Sequence, residues 1–171
     1  GYWQSVSGSD QSSTGVTTSG KLYTWGNNNF GQLGQGNTTS YSSPVQVGAL
    51  TTWSVSATGE GESMSAIKTD GTLWGWGNNG TGQLGDGSTT GRSSPVQIGS
   101  LTTWSNVNTG DTFCAAIKTD GTIWAWGWND KGPVGQGNTT NYSSPVQIGS
   151  GTTWLKVVAG SGRHAVATKL E

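Results

Sequence analysis

Between residues 104 and 148 the apolar positions gather into four short runs. They are Trp104-Ser-Asn-Val107, Cys114-Ala-Ala-Ile117, Thr122-Ile-Trp-Ala-Trp126 and Pro145-Val-Gln-Ile148. Each run is too brief for a helix and none carries a helical spacing, so bounding turn residues predict four β-strands. Asp120-Gly121 separates the second run from the third, and that dipeptide between apolar runs is a strong hairpin signal. A proline opens the fourth run, where a missing N–H is tolerated.

The same order of signals returns along the chain. Thr-Thr-Trp recurs at Trp53, Trp104 and Trp154, with Trp3 at the same spacing. Lys68-Thr-Asp-Gly-Thr-Leu-Trp74 returns as Lys118-Thr-Asp-Gly-Thr-Ile-Trp124, and more weakly as Thr17-Thr-Ser-Gly-Lys-Leu-Tyr23. Trp25-Gly26, Trp76-Gly77 and Trp126-Gly127 keep step, as do the Ser-Pro-Val-Gln segments at Pro44, Pro95 and Pro145. Separate landmarks sharing a period of about 50 residues identify an internal repeat. The chain reads as a single repeat domain over 1–171, with copies at about 3–52, 53–102 and 103–152 and a half copy at 153–169.

Residues two apart on a strand share a face. Trp74 and Trp76 therefore point one way, Leu73 and Gly75 the other, and Thr24 and Ala125 keep the Gly75 position small. Large side chains on one face and small ones on the other suit sheets stacked around an axis. The fold class is all-β: four-stranded antiparallel blades, about three and a half per chain, a partial or half propeller that is either cut from a longer protein or completed by a second copy. The core is assigned to Trp25, Trp53, Trp74, Trp76, Trp104, Trp124, Trp126 and Trp154.

Composition explains how so polar a chain can fold. Thirty glycines and ten tryptophans sit in 171 residues that are 30% hydrophobic and 10% charged. Disordered chains are aromatic-poor and charge-rich, the reverse of this pattern, and each tryptophan brings a large area to bury. The net charge is −1, without a basic stripe, which argues against nucleic-acid binding. No apolar run is long enough to span a bilayer. Gly1 reads as an excised boundary and Leu170-Glu171 as an added tail. A surface rich in Asn, Ser, Thr and Gly suggests display outside the cell or on a virion.

The motif Asp70-Gly-Thr-Leu-Trp-Gly-Trp-Gly-Asn-Asn-Gly-Thr-Gly-Gln-Leu-Gly85, followed by Ser94-Pro95-Val96, resembles the RCC1-like (regulator of chromosome condensation type) β-propeller repeat family. Further copies start at Asp120 and around Tyr23. The resemblance covers essentially the whole chain and implies a propeller, usually of seven blades. It also implies possible guanine-nucleotide exchange on a small GTPase, or inhibition of a secreted enzyme as in one bacterial branch. The family's second strand carries a Gly-x-x-His-x-x-Ala-like pattern, kept here only in Gly162-Arg-His164-Ala-Val-Ala167, with Ser13, Met64 and Cys114 taken as the matching earlier positions.

The catalytic inventory is thin. His164 is the sole histidine and reads as a structural residue hydrogen-bonded within its blade; no partner at zinc-like spacing accompanies it, so no metal and no cofactor are expected. Asp70 and Asp120 occupy equivalent turns, where Asp binds backbone N–H groups, and Ser19 replaces them in the first copy. Gly82–Gly87 lacks the Lys-Ser/Thr of a phosphate loop. Cys114 reads as a small core residue. The triplets at Asn37, Asn79, Asn138 and Asn141 match the glycosylation pattern by chance of composition.

Side chains that differ between copies are the better binding candidates, because loops on rigid scaffolds carry function. Trp128, with Asp130 and Lys131 beside it, stands where the other copies have Asn27 and Asn78. Phe30, Tyr41, Arg92 and Tyr142 vary in the same long loop, and together these residues would decorate one rim. The expected function is a non-enzymatic scaffold for protein or glycan binding, or for homo-oligomeric assembly. The alternatives are enzyme inhibition, nucleotide exchange and an isolated array for propeller assembly.

Overall fold

The computed structural model describes residues 2–60, 62–160 and 164–169. Gly1, Gly162, Arg163, Leu170 and Glu171, which figured in the sequence reading, lie outside them. Fourteen strands build three four-stranded antiparallel blades and a two-stranded one. Blade 1 holds β1 (Trp3–Gly8), β2 (Ser12–Thr17), β3 (Leu22–Gly26) and β4 (Tyr41–Gln46). Blade 2 holds β5 (Trp53–Thr58), β6 (Ser63–Lys68), β7 (Leu73–Gly77) and β8 (Arg92–Gln97). Blade 3 holds β9 (Trp104–Thr109), β10 (Phe113–Lys118), β11 (Ile123–Gly127) and β12 (Tyr142–Gln147). The half-blade is β13 (Trp154–Ala159) with β14 (Ala165–Lys169). Strands pair in chain order within each blade, and β1, β5, β9 and β13 neighbour one another along the inner edge.

The fourth strand corrects one expectation. Pro44, Pro95 and Pro145 sit inside β4, β8 and β12 rather than at their starts. In each blade the ladder between the third and fourth strands shifts register there, for instance between Ala125↔Val146 and Gly127↔Tyr142. A bulge on an outermost strand needs no donor from the proline, which is why it fits.

Packing between blades follows the two faces of the third strand. Trp76 turns back into blade 1, meeting Val16, Leu22, Leu33 and Val47 together with Trp53. Leu73 turns forward to Trp104, Val107 and Trp126 of blade 3. Trp76 and Trp126 are fully buried, and each indole Nε1 donates to a loop carbonyl of the blade before it: Gln32 at 2.7 Å, Gln83 at 3.0 Å. Edge-to-face rings continue the stack, Trp53 on Trp74 and Trp76, Trp104 on Trp124 and Trp126. Trp74 and Trp124 are half-buried under the ammonium groups of Lys68 and Lys118, 3.6 and 3.5 Å from the ring centroids.

The tight turn between the second and third strands anchors the next blade. Gly71 has φ +77°, and a Cβ there would lie 2.2 Å from the Thr102 carbonyl oxygen, while its own carbonyl accepts from the Trp104 N–H. Only glycine meets both conditions. Gly20 and Gly121 repeat the arrangement against Thr51 and Thr152.

Candidate binding surfaces

Strand register places the variable loops. Ser63 pairs with Gly77, so the loop after each third strand emerges at the same end as the turn between strands one and two. The N–H of Asn27 donates to Gln11, that of Asn78 to Glu62 and that of Trp128 to Thr112, each at 2.8–2.9 Å. Trp128, Asp130, Lys131, Phe30, Tyr41, Arg92 and Tyr142 thus lie on loops, or at the strand edge, of one end of the blades, distributed over three of them.

These loops are held by buried amides that the sequence reading passed over. Asn28, Asn79 and Asn129 are fully buried. Asn79 Nδ2 donates to the Ser88 and Thr90 carbonyls while its Oδ1 accepts from the Leu84 N–H. Asn28 and Asn129 accept in the same way from the Leu33 and Val134 N–H groups. Gln32 and Gln83 add a second brace, their Oε1 atoms accepting from the N–H of Phe30 and Thr81. The signal available was the repetition of this Asn in every copy. Its full burial also removes Asn79 from any glycosylation role in the folded chain.

Within that frame the candidate side chains divide. Tyr41 and Tyr142 receive hydrogen bonds from Asn37 and Asn138 of their own loops. Arg92 grips Asp86 Oδ2 through Nε and Nη2 at 3.0 and 2.8 Å. Asp86, Ser88 and Arg92 stand where blades 1 and 3 have Gln35, Asn37 and Tyr41, and Gln136, Asn138 and Tyr142; there the glutamine reaches a fourth-strand carbonyl and the asparagine reaches the tyrosine, so an ion pair stands in place of two separate amide bonds. Burial pushes the Asp86 carboxyl upward, but hydrogen bonds from Ser88, Arg92 and Asn79 outweigh it and hold the group below its usual range. Phe30, by contrast, is 46% exposed, Trp128 is half-buried, and the Lys131 ammonium stands 3.7 Å from Asp130 with most of its side chain in solvent.

Charge is segregated between the two ends. Among the described residues the loop end carries Asp10, Glu60, Glu62, Asp111 and Asp130 beside Lys131 and the Asp86–Arg92 pair, so it is electronegative. The turn end carries Lys21, Lys68, Lys118, Lys156 and Lys169 against Asp70 and Asp120.

Asp70 and Asp120 act as turn residues. Each Oδ1 accepts from the N–H and hydroxyl of the threonine two residues on, Thr72 or Thr122, and those hydroxyls receive the Trp74 and Trp124 indole N–H. The threonine side-chain and backbone bonds lower both carboxyl pKa values. Cys114 is buried between blades 2 and 3 against Thr109 and Ser65, and burial pushes its thiol to about 11. It lacks the exposure and thiolate character of a nucleophile.

His164 requires two corrections. The strand register makes it the counterpart of Ser12, Ser63 and Phe113 in the other blades, one position earlier than the sequence alignment with Ser13, Met64 and Cys114. The backbone bonds agree, since Gly160 N–H donates to the His164 carbonyl as Gly110 does to Phe113. Its ring lies over Gly160, as the Phe113 ring lies over Gly110, but it is exposed, because no further blade covers that side of β14 among the described residues. No group of three or more His, Cys, Asp or Glu among the described residues is placed to hold a metal.

Models of the regulator of chromosome condensation (RCC1) repeat match residues 19–65, 70–117 and 120–168, and a second model of that repeat matches 3–32 and 104–132. The chain belongs to the RCC1 repeat family. Each of the three longer matches runs from the outer hairpin of one blade into the inner hairpin of the next, which ties neighbouring blades together covalently and by sequence. The chain is 36% identical over 92 residues to the human E3 ubiquitin-protein ligase HERC2, covering 52% of this chain and 2% of that protein. It is 39% identical over 84 residues to the ultraviolet-B receptor UVR8 of Arabidopsis thaliana, 48% of this chain and 19% of the receptor. Human WBSCR16 superimposes with a TM-score of 0.85 at 24% identity, over 98% of this chain and 45% of that one. Prp20p of Saccharomyces cerevisiae, described with its binding to Gsp1p and histones, gives 0.83 at 18%, over 99% and 44%. The chain therefore spans less than half of these solved chains and a small part of the curated relatives. The structural likeness shows an RCC1-type propeller fold.

Proposed function

We propose that this chain is a non-enzymatic protein-binding scaffold whose loop end receives the partner. The observation that carries the reading is the contrast within the loops: a frame of fully buried Asn28, Asn79 and Asn129 beneath the unrepeated side chains Phe30, Trp128 and Lys131. A rigid frame lowers the ordering cost of binding, and aromatic side chains are favoured anchors at interfaces. The electronegative loop end makes a basic partner surface the complementary one. Partners named for relatives, Gsp1p and histones among them, make proteins the first class to screen.

The experiment is a protein and glycan array probed with the chain and with its Trp128→Ala and Phe30→Ala variants. The reading expects protein ligands whose signal falls at least tenfold in one variant while the folded state is retained. Silence across the array from a folded sample, or hits indifferent to both substitutions, would count against it. Nucleotide release from small GTPases, run alongside, separates exchange from simple binding.

A further inference from the structure

Both junctions between four-stranded blades carry a groove at the same place. The first, between blades 1 and 2, has a volume of about 560 Å³, and the second, between blades 2 and 3, about 250 Å³. Leu50, Trp53 and Trp74 wall the first as Leu101, Trp104 and Trp124 wall the second. Trp53 begins β5, Lys68 ends β6 and Trp74 lies near the start of β7, so the first groove reaches the turn end of the blades.

Each groove contains an indole whose donor the fold leaves unmet. Trp76 and Trp126 donate to the Gln32 and Gln83 carbonyls, and Trp74 and Trp124 to the Thr72 and Thr122 hydroxyls. Trp53 and Trp104 are 2% and 3% exposed, and their Nε1 atoms have no hydrogen-bond partner. A buried donor left unpaired costs about 1–3 kcal/mol, and the chain carries that cost twice, at one repeat position. A side chain caps the donor. Gly151 stands three residues before Trp154, and a Cβ there would lie 3.2 Å from the Trp154 Nε1. Leu50 and Leu101 hold that position before Trp53 and Trp104. Leu50 is 48% exposed, so the cap is an outer side chain with room to turn aside.

The two grooves differ in charge. Lys68 lines the first, its ammonium 5.0 Å from the Trp53 ring centroid and 3.6 Å from that of Trp74. Gln35 stands there where Asp86 faces the second groove. Among the described residues no Asp or Glu lines the first groove, and nearby Asp70 spends its Oδ1 on Thr72. Ammonium and indole N–H are both donors, which suits a carboxylate; the hydroxyls of a glycan would find no carboxylate to accept from them. We propose that the groove between blades 1 and 2 is a second binding site, for an acidic polypeptide segment. It sets a carboxylate between Lys68 and the Trp53 indole N–H, and an adjacent apolar side chain where Leu50 turns aside. Further carboxylates of the segment meet Lys21, Lys118, Lys156 and Lys169 of the turn end, an attraction that a free monocarboxylate lacks. The two ends of the blades thus recruit partners of opposite charge.

An array of short peptides built from Glu, Gln, Leu, Phe and Gly, probed with the chain, tests this, with fluorescence anisotropy on the best binder. Glutamate beside leucine or phenylalanine should be enriched, and exchanging that glutamate for glutamine should weaken binding about tenfold. Lys68→Gln should do the same and Lys68→Arg should retain the affinity. Lys118→Gln, at the second groove, should change it by less than about threefold. In heteronuclear NMR of the unmodified chain, the Trp53 indole N–H resonance, assigned with Trp53→Phe, should shift on binding while those of Trp76 and Trp126 stay in place. An array without that enrichment overturns the proposal, as do glutamine peptides that bind equally, equal losses from Lys68→Gln and Lys118→Gln, or an unmoved Trp53 resonance. Circular dichroism checks that the variants fold, and the resonance, read on the unmodified chain, decides the matter where one does not.

Discussion

Trp53 and Trp76 share one cluster and are both buried, yet their indole N–H groups have opposite fates. Trp76 Nε1 donates to the Gln32 carbonyl at 2.7 Å, whereas Trp53 Nε1 is buried with no hydrogen-bond partner. Replacing either by Phe removes a similar piece of ring, roughly two buried carbons' worth, at about 0.8 kcal/mol per buried CH₂. Trp76→Phe also deletes a bond and leaves a loop carbonyl without its donor, adding about 1–3 kcal/mol. Trp53→Phe relieves an unsatisfied buried donor, which offsets the ring loss by about 1–3 kcal/mol. The expected loss is therefore about 3–5 kcal/mol for Trp76→Phe, whereas Trp53→Phe should fall between a gain of about 1 kcal/mol and a loss of about 1 kcal/mol. Urea denaturation followed by far-UV circular dichroism measures both on the same baseline. Equal losses, or a larger one for Trp53→Phe, would refute the assignment of blade cohesion to the indole–carbonyl link.

Gly71→Ala should cost at least 3 kcal/mol, roughly, because a left-handed residue and a backbone collision with Thr102 coincide; the urea midpoint reports it. Asp86→Gln alone strands Arg92, whereas Asp86→Gln with Ser88→Asn and Arg92→Tyr restores the side chains that blades 1 and 3 carry there, so the triple variant should be more stable than the single. The Asp86 carboxyl is held below its ordinary pKa in the folded state, so its contribution is complete above about pH 4 and fades as pH falls through the folded value. Acid titration of thermal stability should show that loss in the parent and less of it in the triple variant. Cys114, buried with its thiol raised to about 11, should resist thiol reagents at neutral pH until blades 2 and 3 separate. Labelling that tracks the urea transition checks this, and rapid labelling of the folded chain would contradict the burial.

The repeated residues made the fold legible because each landmark appears several times, and a strand's alternation sorts faces without any knowledge of neighbours. The outward and inward sides of Trp74, Trp76, Leu73 and Gly75 followed from period two alone. What did not follow depends on contacts across the blade boundary. Pro145 reads locally as a strand opener, but a bulge against Gly127 extends the strand back to Tyr142. His164 looks aligned with Cys114 by motif, and only the ladder reveals the offset of one residue. Arg92 stands out as a variable charge in the sequence, yet the structure joins it to Asp86, whose substitution for Gln35 and Gln136 is the other half of the same change. Asn28, Asn79 and Asn129 were hidden by their company, since polar loop residues read as solvated until their amides are found buried.

Repetition and function pull on different positions in such an array. A residue that every blade needs, such as the buried Asn or the Gly of the turn, is unavailable to distinguish one blade from the next. On the proposed reading, recognition falls to positions where the frame tolerates change, and Phe30, Thr81 and Lys131 occupy one such position in successive loops: an aromatic ring, a hydroxyl and a cation on the same scaffold. Thr81 spends its hydroxyl on Gln83 and on the Thr112 carbonyl of the next blade, so that copy is committed to cohesion. Phe30 and Lys131 extend into solvent instead. The same loop position thus holds blades together in blade 2 and faces solvent in blades 1 and 3. A partner that spans blades would read the order aromatic, neutral, cationic, a sequence that no single repeat contains.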